Sequence, residues 1–287
     1  MRMDWRRVRA VMGKDVREAF TNPQIVGPLV AVPLVIVVGY PVIYLLALRL
    51  TPGAINGLGG FIGGFPRSAL PAFALVNTAR RAAYVGVVYL FAGFFLLVPV
   101  MVSTVIAANS FAGEKERRTL EGLLYTPVSD SELVVAKIGA SFVPAVVFTW
   151  LCFAIYVAIV TLLATPLMGR IFFPTPNWWA LMLLLVPAVS LLVISIVVMV
   201  SAKARGFQEA NAIGGAIVLP LVGVVAAEIG GLMVLSTQVI VLAAMVFALV
   251  DAVALRLIVR SFRRSRVASY LRPTPGVPHI RSTSRTL

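Results

Sequence analysis

Charged residues are scarce in this sequence. Only 13% of its 287 residues are charged, against the roughly 25% of an ordinary soluble domain, and 60% are hydrophobic. A chain of this length cannot hide so much apolar surface from water inside one core, which excludes the common soluble classes. The composition therefore predicts an integral membrane protein, for which lipid is the solvent.

Residues that usually carry chemistry are equally scarce. The sequence has one cysteine, Cys152, and one histidine, His279, so an internal disulfide and a multi-cysteine metal site are excluded. It has no HExxH or Gly-x-Ser-x-Gly motif, and its one Gly-Lys pair is followed by Asp15 rather than by the Ser or Thr of a P-loop. We therefore predict no catalytic residue, no metal site and no bound cofactor in this chain.

Long apolar runs fill most of the sequence. Each of six runs approaches or exceeds the roughly 20 residues that a helix needs to cross a bilayer. The predicted spans are 25–48, 85–108, 134–164, 178–201, 210–227 and 232–257. We predict an all-α membrane protein, with a bundle of about six transmembrane helices over residues 25–260. Residues 1–24 are predicted to form an amphipathic interfacial helix, and residues 261–287 a basic, disordered cytoplasmic tail.

The net charge of +14 is distributed unevenly along the chain. If both termini are cytoplasmic, 20 of the 25 lysines and arginines lie on the cytoplasmic side, as the positive-inside rule requires. A seventh span within residues 55–79 would reverse this distribution, so we interpret that segment as an extracytoplasmic loop. The rule leaves Arg80 and Arg81 unexplained. We expect a multi-pass protein of the cell membrane that contacts lipid and binds no nucleic acid.

The N-terminal segment has a helical pattern. Its apolar residues recur every three or four positions, which places them on one face of a helix. They are Trp5, Val8, Met12, Val16 and Phe20. Asp4 is predicted to cap the start of the helix, and Asn22-Pro23 to end it.

The segment between the second and third spans is the most charged part of the chain away from the termini. Oppositely charged residues four positions apart and a short leucine stripe predict an amphipathic cytoplasmic helix. Pro127 is predicted to end this helix, and Ser129 with Glu132 to form a capping box that starts the next one. The residues alone leave two interpretations open: an ordinary solvated loop helix, or a rigid elbow that transmits motion.

The same segment resembles a known family. The run from Gly113 to Leu124, the Thr126-Pro127-Val128-Ser129 sequence and the downstream Lys137 resemble the signature of ABC-2 type permeases. This resemblance implies the membrane subunit of an ABC exporter, paired in a homodimer or in a heterodimer with a homologous permease. It also implies a separate ATPase subunit that binds ATP and magnesium. The N-terminal helix would be the family's connecting helix.

The resemblance further implies a coupling helix that docks on the ATPase subunit. The implied coupling residues are Glu114, Lys115, Glu116, Arg117, Arg118, Thr119, Leu120, Glu121, Leu123, Leu124 and Pro127.

One acidic residue falls inside a predicted span, toward its cytoplasmic end. An ionisable group within a span is a candidate functional residue, so Asp251 is a candidate for the substrate path, although a structural polar contact would also explain it. The alternative functions are an ion-gradient-driven secondary transporter and a non-transporting scaffold. The first would need intramembrane carboxylates and often inverted repeats, and the second leaves the Glu-rich helix unexplained.

Overall fold

The computed structural model describes residues 4–50, 62, 65–113, 129–201, 207–216, 218–229 and 235–261. The described residues form helices and connecting turns, with no β-strand among them. Six helices are long and apolar enough to cross a membrane: Leu29–Leu50, Thr78–Phe111, Glu132–Met168, Pro176–Ser201, Phe207–Val224 and Thr237–Ile258. The prediction of an all-α bundle with about six spans is confirmed.

Eight helices are named here in chain order. They are α1 (Trp5–Thr21), α2 (Pro23–Leu34 continuing to Tyr40–Leu50), α3 (Thr78–Val85 continuing to Leu97–Ala108), α4 (Asp130–Met168), α5 (Pro176–Ala180 continuing to Val186–Ser201), α6 (Phe207–Gly215), α7 (Val218–Ile229) and α8 (Thr237–Ser261). Wide π-helical turns interrupt α2, α3 and α5 at Val35–Gly39, Gly86–Leu90 and Leu181–Leu185, and another, Asn109–Gly113, follows α3.

The core lies where α3, α4 and α5 meet. A π-helical turn displaces backbone carbonyls from their usual partners, and side chains from neighbouring helices supply donors for them. In the turn of α3, the Val87 carbonyl accepts a hydrogen bond from the Tyr156 hydroxyl at 2.8 Å, and the Val88 carbonyl accepts from the Trp178 indole at 3.0 Å. The Tyr156 and Trp178 rings are stacked 4.8 Å apart. These bonds fix the relative positions of the three helices near the start of α5.

The structure explains the two arginines that the charge rule did not. The Arg80 Nε donates to the Leu167 carbonyl at 3.0 Å, in the last turn of α4, where helix carbonyls have no intrahelical partner. The Arg81 Nη2 donates to the Phe65 carbonyl at 2.8 Å and so holds the loop before α3. Both arginines bind backbone carbonyls at the end of the bundle where α3 begins and α4 ends.

The N-terminal helix begins and ends as predicted. The Asp4 side chain accepts a hydrogen bond from the Arg6 backbone amide at 3.0 Å, and the helix ends at Thr21, before Asn22. The buried side of α1 is rotated relative to the predicted apolar stripe. It includes Val8, Asp15 and Ala19, whereas Trp5 is 61% exposed. A carboxylate therefore lies inside the contact between α1 and its neighbours.

Candidate functional site

The predicted coupling residues, from Glu114 through Pro127, lie outside the described residues. The structure does describe the two chain segments from which this loop emerges. One is the π-helical turn Asn109–Gly113 that follows α3, and the other is the start of α4 at Ser129. The candidate site is therefore built from these two stems and from α1, which packs along the first half of α4.

A buried ion pair joins all three elements. The Lys137 Nζ, on α4, lies 3.3 Å from the Asp15 Oδ2 on α1 and donates to the Ser110 carbonyl at 2.5 Å. The Ser110 hydroxyl donates to the same Asp15 oxygen at 2.6 Å. We call these three residues the stem triad. Because each of its residues comes from a different segment, the triad ties α1 to both ends of the charged loop.

Burial makes it costly to separate the two charged groups of the stem triad. The Asp15 and Lys137 side chains are only 3% and 4% exposed, so both charges have been removed from solvent. An unpaired charge in such a place is strongly unfavourable, which forces the two groups to stay together. The π-helical turn contributes the Ser110 carbonyl as an additional acceptor. The position of α1 is therefore coupled to the geometry of the loop stems.

The second stem carries a further link to α1. Ser129 and Glu132 form the predicted capping box: the Ser129 hydroxyl accepts from the Glu132 amide, and a Glu132 carboxylate oxygen accepts from the Ser129 amide at 2.8 Å. The other carboxylate oxygen of Glu132 accepts from the Asp4 amide at 2.8 Å. One side chain thus caps α4 and also holds the N-terminal end of α1.

The sequence interpretation named Lys137 in the family signature but missed Asp15 and Ser110. A signal for Asp15 was present, because Val8, Met12, Asp15 and Ala19 follow a four–three–four spacing that places an acid on a core-facing stripe. An acid at such a position requires a buried partner. Nothing local indicated Ser110, whose role arises from a contact with a residue 95 positions away.

Asp251 is buried inside the bundle. Its side chain is 3% exposed, and neither carboxylate oxygen has a hydrogen-bond partner among the described residues. Buried positions of α8 recur at Ile240, Ala244, Asp251 and Ile258, so Asp251 occupies the stripe of α8 that faces the other helices. The sequence placed Asp251 within the sixth span, and the structure adds that it faces inward.

Further polar atoms occur in the half of the bundle that contains Asp251. The Asn177 side-chain amide donates to the carbonyls of Val88 and Leu235, which brings α3, α5 and the start of α8 to one level. Sixteen residues further along these helices, about 24 Å at 1.5 Å per residue, lie Thr104, Val193 and Asp251. Buried oxygens without a described partner occur near this level of α3 and α5, on Ser103, Thr104, Ser190 and Ser195, and another occurs on Asn211 of α6. We call Asp251 and these five residues the polar layer.

Comparison with known proteins identifies the family. A family model described as ABC-2 family transporter protein matches residues 9–238, which is most of the chain and includes both loop stems. Comparisons with curated proteins and with solved structures give no match. The family match confirms the resemblance seen in the charged segment and does not favour the ion-gradient alternative. The chain therefore belongs to the ABC-2 transporter family, as a multi-pass membrane subunit that carries out transport and is not itself a catalyst.

Proposed function

We propose that this chain is the permease of an ABC exporter and that a separate ATPase subunit drives it through the loop at residues 114–128. ATP and magnesium bind to the ATPase subunit. Two permease chains, identical or homologous, form the translocation path, with both termini in the cytoplasm and the bundle in the cell membrane. The substrate remains unassigned, since neither the sequence nor the described helices select one.

The observation that carries this proposal is the construction of the loop stems. A loop that transmits force must emerge from segments that are held rigidly. Here the stem triad and Glu132 fix both stems to α1. Displacement of the loop by an ATPase therefore acts on α1, α3 and α4 together. Exposed ion pairs of the kind that an ordinary solvated loop makes contribute little, so they would hold its stems less firmly than this buried pair does.

The coupling contact itself is proposed to lie on the leucine stripe and its flanking charges. Leu120, Leu123 and Leu124 form the apolar centre of the predicted loop helix, with Glu114 and Arg118 beside it. Central apolar contacts usually dominate the binding energy of a protein interface, whereas charges at its rim contribute less. We therefore assign most of the ATPase affinity to the leucines and the register of docking to the charges.

The test is capture of the cognate ATPase by the permease in detergent, with transport measured in vesicles. Replacing Leu123 with Asp should weaken capture by about 2 kcal/mol or more and abolish transport. The matched control is Leu75→Asp, which makes the same chemical change at a 41% exposed site on the opposite, extracytoplasmic side. Full ATPase capture and full transport by Leu123→Asp would refute the assignment of this loop as the coupling element.

Asp251 is proposed to line the substrate path, on the strength of its burial and of the polar layer around it. Polar side chains without partners are costly inside a membrane bundle, and those that occur there commonly serve transport. The layer contains oxygen atoms from α3, α5, α6 and α8, so it would offer hydrogen-bond acceptors and hydroxyl donors to a polar group in transit.

A further inference from the structure

An open groove runs between α1 and α4 on the outside of the bundle. Its floor and apolar wall include Met12, Gly13, Val143, Val147 and Leu151. Leu151 is 60% exposed, and no atom lies within 4 Å of the position that a Cβ on Gly13 would occupy. The groove is therefore apolar, accessible and unfilled by side chains of the described residues.

Two arginines border this apolar groove. Arg9 and Arg17, two turns apart on α1, contribute to its lining, and both are exposed. Neither forms an ion pair with any residue that the structure describes, in contrast to Arg7 and Lys14 on the same helix, which pair with acids of the helix or its cap. The groove thus combines an apolar wall with two guanidinium groups that have no carboxylate partner among the described residues.

The groove straddles the inner boundary of the membrane. Helix α4 has 39 residues and is about 58 Å long, whereas the hydrocarbon core of a bilayer spans only about 30 Å, or 20 residues. Counting about 20 residues back from the outer end at Met168 places the inner boundary near residue 149. Val143 and Leu151 lie on either side of that level, so the apolar wall reaches the acyl chains while α1 lies on the cytoplasmic side.

We propose that this groove binds one anionic phospholipid of the inner leaflet. The lipid phosphate would lie between Arg9 and Arg17, because guanidinium groups match the geometry of phosphate oxygens. One acyl chain would follow Val147 and Leu151 upward. The open space at Gly13 admits the glycerol region, which a larger side chain would displace. The lipid would fill the space between α1 and α4 and so support the helix that carries Asp15.

The experiment is native mass spectrometry of the purified full-length permease, titrated with phosphatidylglycerol or with phosphatidylcholine of the same chains. The wild-type chain should retain phosphatidylglycerol in preference to phosphatidylcholine. The double variant Arg9→Ala/Arg17→Ala should bind it roughly 10- to 30-fold more weakly. The matched control, Arg6→Ala/Arg7→Ala, removes two charges from α1 outside the groove and should change binding little. Excess glycerol phosphate, which has no acyl chains, should not displace the lipid.

A second variant tests whether the lipid needs the open space of the groove. Gly13→Leu should fill it and weaken phosphatidylglycerol binding without loss of charge, and the helix tolerates the change because the site is open. Equal retention of the two lipids by the wild-type chain would overturn the proposal. So would equal losses in the Arg6/Arg7 and Arg9/Arg17 variants, or dissociation of a permease dimer by Gly13→Leu, which would make the groove a protein interface. No ATPase is present, so the outcome is independent of the coupling proposal.

Discussion

Lys137 and Asp15, 122 positions apart in the sequence, form a buried ion pair with a distance of 3.3 Å between Nζ and Oδ2. The pair fixes the N-terminal helix to the third span beside the Ser110 carbonyl. Because the pair lies at the base of the charged loop, α1 contributes to the structure from which the loop emerges.

Breaking this pair should destabilise the permease. Lys137→Met keeps the length of the side chain but leaves the buried Asp15 carboxylate with only the half-exposed Lys14, 3.6 Å away, as a cation. We expect a loss approaching that of a broken buried pair, about 3–5 kcal/mol. The double variant Asp15→Leu/Lys137→Met removes both charges and should recover most of the loss. Thermal unfolding in detergent measures both effects. Lys14→Met removes the more distant, half-exposed cation of Asp15 and should lower the midpoint much less than Lys137→Met does. A Lys137→Met midpoint equal to the wild-type value would contradict the buried pair.

Gly86 should not tolerate a side chain. A Cβ at this position would overlap the ring of Tyr44, whose hydroxyl donates to the Ala82 carbonyl at 2.8 Å and so has little freedom to move. We expect Gly86→Ala to lower the free energy of unfolding by about 1–3 kcal/mol, as overpacking commonly does. Gly223→Ala is the control, since nothing lies within 4 Å of its Cβ position. Equal stability of the two variants would show that α2 and α3 are further apart.

The orientation of the bundle can be tested by labelling with an impermeant maleimide. Ser68 and Arg6 are both exposed, one in the loop before α3 and the other on α1, while the native Cys152 is buried. Ser68→Cys should be labelled in whole cells. Arg6→Cys should be labelled only after the membrane is permeabilised. Labelling in the reverse order would require the opposite orientation of all six spans.

Removing the charge of Asp251 should separate transport from coupling. Asp251→Asn preserves the size of the side chain but cannot present a carboxylate to a substrate, so we expect slower transport in vesicles with normal ATPase capture. Leu123→Asp, by comparison, should lose both. Normal transport by Asp251→Asn would contradict the proposal that the Asp251 carboxyl group contacts the substrate. Asp251 would then have a structural role.

Structural features that depend on residues close together in the sequence could be predicted from it. The Asp4 cap and the Ser129–Glu132 capping box depend on spacings of two and three residues, and the structure shows both. Contacts between distant segments were not accessible. The carbonyls that Arg80 and Arg81 bind belong to Leu167 and Phe65, and no local pattern connects an arginine with a backbone group 87 positions away. Burial of Asp15 likewise depends on how α1 is rotated against α4, which helical periodicity alone does not determine.

The bonds made by Arg80 have a mechanical consequence. Helices α3 and α4 are joined near one end by Arg80 and Leu167, and near the other end by Lys137 and by Ser110 in the turn that follows α3. Two crosslinks near opposite ends of an antiparallel pair suppress both hinging and sliding between its members. The pair should therefore move as one rigid unit, and we expect conformational changes of the bundle to occur in the other helices. Distances measured between labels on α3 and α4 should therefore stay constant when nucleotide and the proposed ATPase are added.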